Sequence, residues 1–140
     1  MWLQREIVLK PRQRGFHLIT TEIIEAVPEL GRCQIGLLHL LLQHTSASLT
    51  LNENCDPQVR RDLAHFMSRL VPDHDNGFAH RDEGLDDMPA HVCASLLGTS
   101  LSLPICRGGL ALGTWQGIYL GEHRLSASGR RIIATLHAAD

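Results

Sequence analysis

The chain has 140 residues, a formal net charge of −2 and 44% hydrophobic side chains. That length predicts a single domain over 1–140, able to bury roughly 68–70% of its unfolded surface without a disulfide or metal staple. The near-neutral charge balance offers no electrostatic footprint for nucleic acid or an anionic membrane, and the apolar content excludes a disordered chain.

The opening "WLQREIVLK" reads as a strand, and the charges at Arg5 and Glu6 interrupt the apolar run that a secretory signal would need. No segment approaches the ~18 consecutive apolar residues of a membrane span. The four cysteines, Cys33, Cys55, Cys93 and Cys106, are scattered and form no C-x-x-C pair. They predict free thiols in a reducing cytoplasm rather than a zinc–thiolate or redox site.

"GFHLITTEIIEAV" predicts a short extended piece and then a helix capped by Thr20 or Thr21, with Ile23, Ile24 and Val27 on one side and Pro28 and Gly31 at its end. "CQIGLLHLLLQ" (33–43) is apolar on both alternating faces, the pattern of a central strand covered on both sides, with His39 as a core histidine. His44 continues the register of Leu38, Leu40 and Leu42, and Thr45, Ser46 and Ser48 follow it. Two readings stay open there. Either the strand ends at a polar pocket, or the hydroxyls make a turn and a backbone carbonyl satisfies His44. Asp56-Pro57 then supplies a cap and a first-turn proline for a helix carrying Val59, Leu63, Phe66, Met67 and Leu70 at helical spacing.

Residues 72–89, "PDHDNGFAHRDEGLDDMP", form a long polar loop. It holds Asp73, Asp75, Asp82, Glu83, Asp86 and Asp87, with His74, His80 and His91 around them. A solvated acidic loop is the ordinary reading of such a run. Imidazoles beside carboxylates are also the donor set of a divalent metal ion. A short helix follows from about Pro89 to Gly98, then a half-buried strand through Leu101, Leu103 and Ile105 in which Pro104 marks an edge or bulge. Gly108-Gly109 turns that strand into "LALGTWQGIYLGEH" as a hairpin. Glu122 falls on the apolar face of Ile118 and Leu120, where a carboxylate is costly unless a cation or donor meets it. Arg107, Arg124, Arg130 and Arg131 stand at turns and strand ends and are suited to bidentate phosphate contact. "RRIIATLHA" is a last strand. Helices are too few for a doubly wound sheet, so the order of elements predicts an α+β fold.

Three segments, "HTSASLTLNENCDPQVRRDL" (44–63), "HRDEGLDDMPAHVCASLLGTSLSLPI" (80–105) and "GGLALGTWQGIYLGEHR" (108–124), together resemble the YjbQ family, whose members are described as secondary thiamine-phosphate synthases. The resemblance covers almost the whole chain. It implies a two-sheet β-sandwich with two main helices, assembled as a homotrimer, and a reaction that joins hydroxymethylpyrimidine diphosphate to a thiazole phosphate with release of diphosphate. It implies His44, His80 and His91 as holders of a divalent metal ion. It also implies His44, Glu53 and Glu122 as catalytic groups, and Thr45, Ser46, Ser48, Gln116, Arg124 and Arg130 as contacts to a small phosphorylated substrate. Two departures stand out. "HRLSASGRR" replaces the D-G-P-R-like turn of many members, so that Arg130 takes the place of the motif arginine, and Asp87-Met88-Pro89 replaces an Asn-Ala-like sequence. A metal-dependent hydrolase of a small phosphorylated or acyl compound, and a non-catalytic trimeric binding protein, are the alternatives.

Overall fold

The computed structural model describes residues 1–74 and 77–139, so Asp75 of the acidic loop lies outside the described residues. In chain order the elements are β1 (Trp2–Val8), β2 (Gly15–Leu18), α1 (Thr20–Ala26), a 3-10 turn (Pro28–Arg32), β3 (Ile35–Leu42), β4 (Ala47–Glu53), α2 (Pro57–Leu70), α3 (Asp87–Leu97), β5 (Ser100–Cys106), β6 (Gly109–Leu110), β7 (Gln116–Glu122) and β8 (Arg131–Ala138). The strands form two antiparallel sheets, ordered β1-β8-β3-β5-β6 and β2-β7-β4. Alternation sends Leu38, Leu40 and Leu42 of β3 and Ile132, Ala134 and Leu136 of β8 inward, where they meet Leu49, Ile118 and Leu120 of the smaller sheet in one buried cluster. This is the α+β fold that the element order predicts, in the two-sheet sandwich that the family resemblance implies.

α2 begins as its sequence predicts, with Asp56 Oδ1 accepting from the Gln58 N–H at 2.8 Å and Pro57 in the first turn. α1 is not capped by a threonine. The Thr20 hydroxyl instead accepts from the Ile118 N–H at 2.8 Å, which ties the helix to β7. Only the β5–β6 turn, with Arg107 and Gly108 at φ 49 and 79, makes the expected hairpin; β7 crosses to the other sheet and pairs with β2 and β4. The expectation that residues 33–43 are covered on both faces is also corrected. Leu38 and Leu40 are fully buried, whereas Ile35, Leu37 and Leu41 are 73%, 49% and 42% exposed. His39 stands on that same outer face, opposite Thr135 and Ser102, and is not a core residue. The strand buried on both faces is β7. α2 lies against β2 and α3 against β4, so the helices cover the smaller sheet and leave the outer face of the larger one bare.

Candidate functional site

α3 starts at Asp87, and the i, i+4 spacing puts His91 on the same side of its first turns. Asp87 is buried. Its Oδ2 lies 2.7 Å from His80 Nε2 and 3.1 Å from His91 Nε2, and its Oδ1 accepts from Arg124 at 2.8 Å. One ligand atom from each of His80, Asp87 and His91 falls within 4.8 Å of the others. His91 Nδ1 donates to the Thr45 carbonyl at 2.8 Å. A neutral ring with its proton spent there turns an Nε2 lone pair toward the carboxylate, and only a proton or a cation between them relieves that contact. A carbonyl that fixes the outer nitrogen of a ligand imidazole is the usual support of a metal site, so these donors fit a divalent transition metal. Burial pushes the Asp87 carboxyl up, but the His80 hydrogen bond and the charges of His91 and Arg124 outweigh it and hold the group below its ordinary value.

Arg124 is the fastener of this corner. Its Nε donates to Asp86 at 2.9 Å, its two terminal nitrogens donate to Asp87 and to the Glu83 carbonyl at 2.8 Å each, and the Leu125 N–H adds a bond to Asp86 at 2.9 Å. The phosphate contact expected of Arg124 is thereby corrected: its guanidinium is committed to the loop and the start of α3.

The cluster edges an open pocket of about 790 Å³ that His44, Thr45 and Met88 also line. His44 Nε2 accepts from the Arg131 N–H at 2.8 Å, so a neutral His44 carries its proton on Nδ1. Burial first, then the charges of Arg130 and Arg131, lower its pKa. Of the expected trio, His80 and His91 fall in the one cluster among the described residues that could hold a metal ion, together with Asp87, while His44 lines the same pocket outside that cluster.

The remaining candidates part company. Glu122 is buried, as its alternation implies, and its cation is Arg130, which donates from Nε at 2.8 Å and from a terminal nitrogen at 2.5 Å. That terminal nitrogen also reaches the Ser46 carbonyl at 3.2 Å. The structure therefore places the expected catalytic Glu122 and substrate-binding Arg130 in a buried ion pair with each other, with the Arg124 N–H and the Ser46 carbonyl as their further partners. Ser48 is fully buried against His123 Nε2 at 2.8 Å, too deep to touch a substrate in this chain. Gly121 is required beside this pair, because a Cβ there would fall well inside contact distance of Ser48 Oγ. Glu53 and Gln116 pair with each other at the opposite end of β7, about six residues or ~20 Å from Glu122. There Glu53 accepts from the Asp56 N–H at the start of α2, and Gln116 accepts from the Gly113 N–H. The sequence offers Asp87 only as one of several loop carboxylates that could serve a metal, and gives His123 no role. The i, i+4 relation to His91 was a usable signal for the first; for the second there was none short of knowing the register of β4 on β7.

Burial lowers the His123 pKa to about 4; Glu122 opposes the shift, and Arg14 and Arg130 add to it. The unfolded chain, with an ordinary histidine near 6.5, binds more protons between those two values, so this contribution is complete above about pH 6.5 and is lost as pH falls toward 4. Its full size is about 3 kcal/mol. Urea unfolding at stepped pH is expected to show this loss, and a folded His123→Gln variant is expected to flatten it. An unchanged slope in that variant would assign the acid sensitivity elsewhere.

Comparison with known proteins gives a consistent picture. The family model for "UPF0047 protein YjbQ-like" matches residues 5–139. The UPF0047 protein YjbQ of Escherichia coli O157:H7 is 59% identical over 136 residues, 97% of this chain and 98% of that protein. A UPF0047 protein of Archaeoglobus fulgidus is 34% identical over 134 residues, 94% of this chain and 99% of that one. Among solved structures, a conserved hypothetical protein from Thermus thermophilus superposes with a TM-score of 0.80 at 30% identity, covering 96% of this chain and 99% of its own. A YbjQ-like protein of unknown function from Sulfolobus solfataricus shares the fold with a TM-score of 0.87 at 21% identity, covering 99% of each chain.

Proposed function

The chain belongs to the YjbQ-like UPF0047 family, and on that premise we propose that it is a metal-dependent enzyme acting on a small phosphorylated substrate in the pocket between His44 and His91. The observation that carries this reading is the convergence of His80, Asp87 and His91 on one open pocket, with the tautomer of His91 fixed from behind by Thr45. His80, Asp87 and His91 would hold a divalent cation, which would supply Lewis-acid stabilisation to phosphate oxygens. The protein's own groups then have definite tasks. His44, oriented by the Arg131 N–H, offers its Nδ1–H to a phosphate oxygen. The exposed Thr45 stands beside it, and Arg124 keeps Asp87 turned toward the two imidazoles.

The reaction proposed is of thiamine-phosphate synthase type. The bond from the pyrimidine methylene carbon to diphosphate breaks, the thiazole nitrogen bonds to that carbon, and diphosphate leaves with the electron pair. The enzyme works as a homotrimer whose subunits bury the bare face of the larger sheet. Trp2, stacked on His137 at 3.8 Å, stands there with Ile35, Leu37 and Leu41. The pocket opens beside that face, since His44 is bonded to Arg131 and the exposed Arg131 side chain shares the face with Ile133. Incubating purified, metal-loaded protein with both precursors is expected to yield thiamine phosphate and diphosphate in equal amounts, and sedimentation is expected to give a trimer. Consumption of one precursor alone would make the protein a hydrolase. Ligand binding without turnover would make it a binding module.

A further inference from the structure

A second cavity, of about 360 Å³, lies between β2, α2, residues 71–74 and α3, and it shares no lining residue with the pocket of His80 and His91. His123, only 7% exposed, forms part of its floor. Ser48 is fully buried, and among the described residues its hydroxyl has a single partner, His123 Nε2. A buried O–H left without an acceptor is costly, so Ser48 donates and Nε2 accepts. The neutral ring must then carry its proton on Nδ1, and no side chain or carbonyl among the described residues meets that N–H. The imidazole that lines the cavity thus carries one hydrogen-bond donor that the fold itself does not take up.

The surroundings cancel charge and supply apolar walls. Arg14 is held by Asp73 through two bonds of 2.7 and 2.8 Å, and its Nε donates to the His123 carbonyl at 3.1 Å. Glu122 is neutralised by Arg130. Phe16, whose ring meets His123 edge-on at 5.9 Å, lines the walls with Val71 and Cys93. The roof is α2, fourteen residues long without one that is fully buried. Its Ala64 and Met67 face the cavity instead of a packed layer. Interiors normally pack to crystal-like density, so a helix resting on open space leaves apolar burial to be completed by something else. The space exceeds the ~150 Å³ that accepts benzene in an engineered protein core.

We propose that this cavity binds an uncharged, ring-sized small molecule that presents a hydrogen-bond acceptor, a carbonyl or an sp2 ring nitrogen, to His123 Nδ1. Arg14, Asp73 and Glu122 are paired, so the lining offers a charged ligand only the imidazoles of His65 and His74, and a purely apolar ligand covers the His123 N–H without pairing it. The proposal is independent of the metal cluster, and its test reads ligand binding at this cavity rather than turnover.

Nicotinamide is a suitable probe, with benzene as the ring that lacks an acceptor. Titration followed by 1H–15N spectra of the intact protein is expected to show saturable nicotinamide binding with a Kd on the order of millimolar, which is reasonable for a ligand of its size. A shift of the His123 ring nitrogens and binding at least about tenfold tighter than benzene are expected with it. Ala64→Phe, which fills the space from the roof, should weaken nicotinamide by about tenfold or more, while His80→Ala should leave it unchanged. If Ala64→Phe does not fold, Met67→Trp serves the same purpose. No saturable binding at tens of millimolar, equal affinity for benzene, or full binding in the filled variants would each overturn the proposal.

Discussion

Arg130→Ala is expected to cost the fold about 3–5 kcal/mol. The Glu122 side chain is 1% exposed and that of Arg130 7%, so the alanine would strand a buried carboxylate with only the Arg124 N–H, at 3.1 Å, to meet it. The test is urea unfolding at pH 7 of the single variant, of Glu122→Gln, and of the double variant. Because the penalty belongs to the unpaired charge, the double variant should be less destabilised than the sum of the two singles by well over 1 kcal/mol. Additive losses, or a single loss below about 1 kcal/mol, would mean that solvent reaches the pair. The result also decides what Arg130 is for: a substrate ligand would lower activity and leave the unfolding midpoint alone.

Asp87→Asn and His91→Ala are each expected to weaken zinc binding by about 100-fold or more, with loss of turnover, in protein whose circular dichroism is unchanged. Zinc is the probe because two imidazoles and a carboxylate are donors it accepts readily. Competition against a chromogenic chelator measures the change. Arg124→Gln should act through Asp87 with a smaller effect, about 10–100-fold, the usual scale for a group that orients a ligand. His44→Ala should leave zinc affinity near that of the parent and reduce activity. If His44→Ala strips the metal while Asp87→Asn keeps it, the ligand set read from the geometry is wrong and the trio His44, His80 and His91 is restored.

How far the sequence discloses this arrangement varies from segment to segment. Asp56-Pro57 discloses α2 because a cap and a first-turn proline act locally. Glu122 discloses its own burial because alternation from Ile118 and Leu120 leaves it nowhere else to go. Its partner, Arg130, sits beyond an irregular stretch whose path no periodicity encodes. Asp87 was hidden for a different reason: it is one of several carboxylates in the same loop, and what distinguishes it is the fold, which buries it between two imidazoles and a guanidinium. The error at β3 is instructive too. Apolar residues on both faces state that both faces are to be covered. They do not say whether this chain or another covers them, and here the chain itself covers only one.

The position of β8 carries a kinetic consequence. It is inserted between β1 and β3, with His137 opposite Trp2 on one side and Leu37 on the other. During synthesis, β1 and β3 therefore wait with their inner edges unpaired until residues 131–138 emerge from the ribosome. Pairing between segments so distant along the chain must close long loops before it is rewarded, which places folding on the millisecond-to-second scale of slow β topologies. Until then the apolar strand 35–42 lacks the partner that covers one of its edges in the folded sheet.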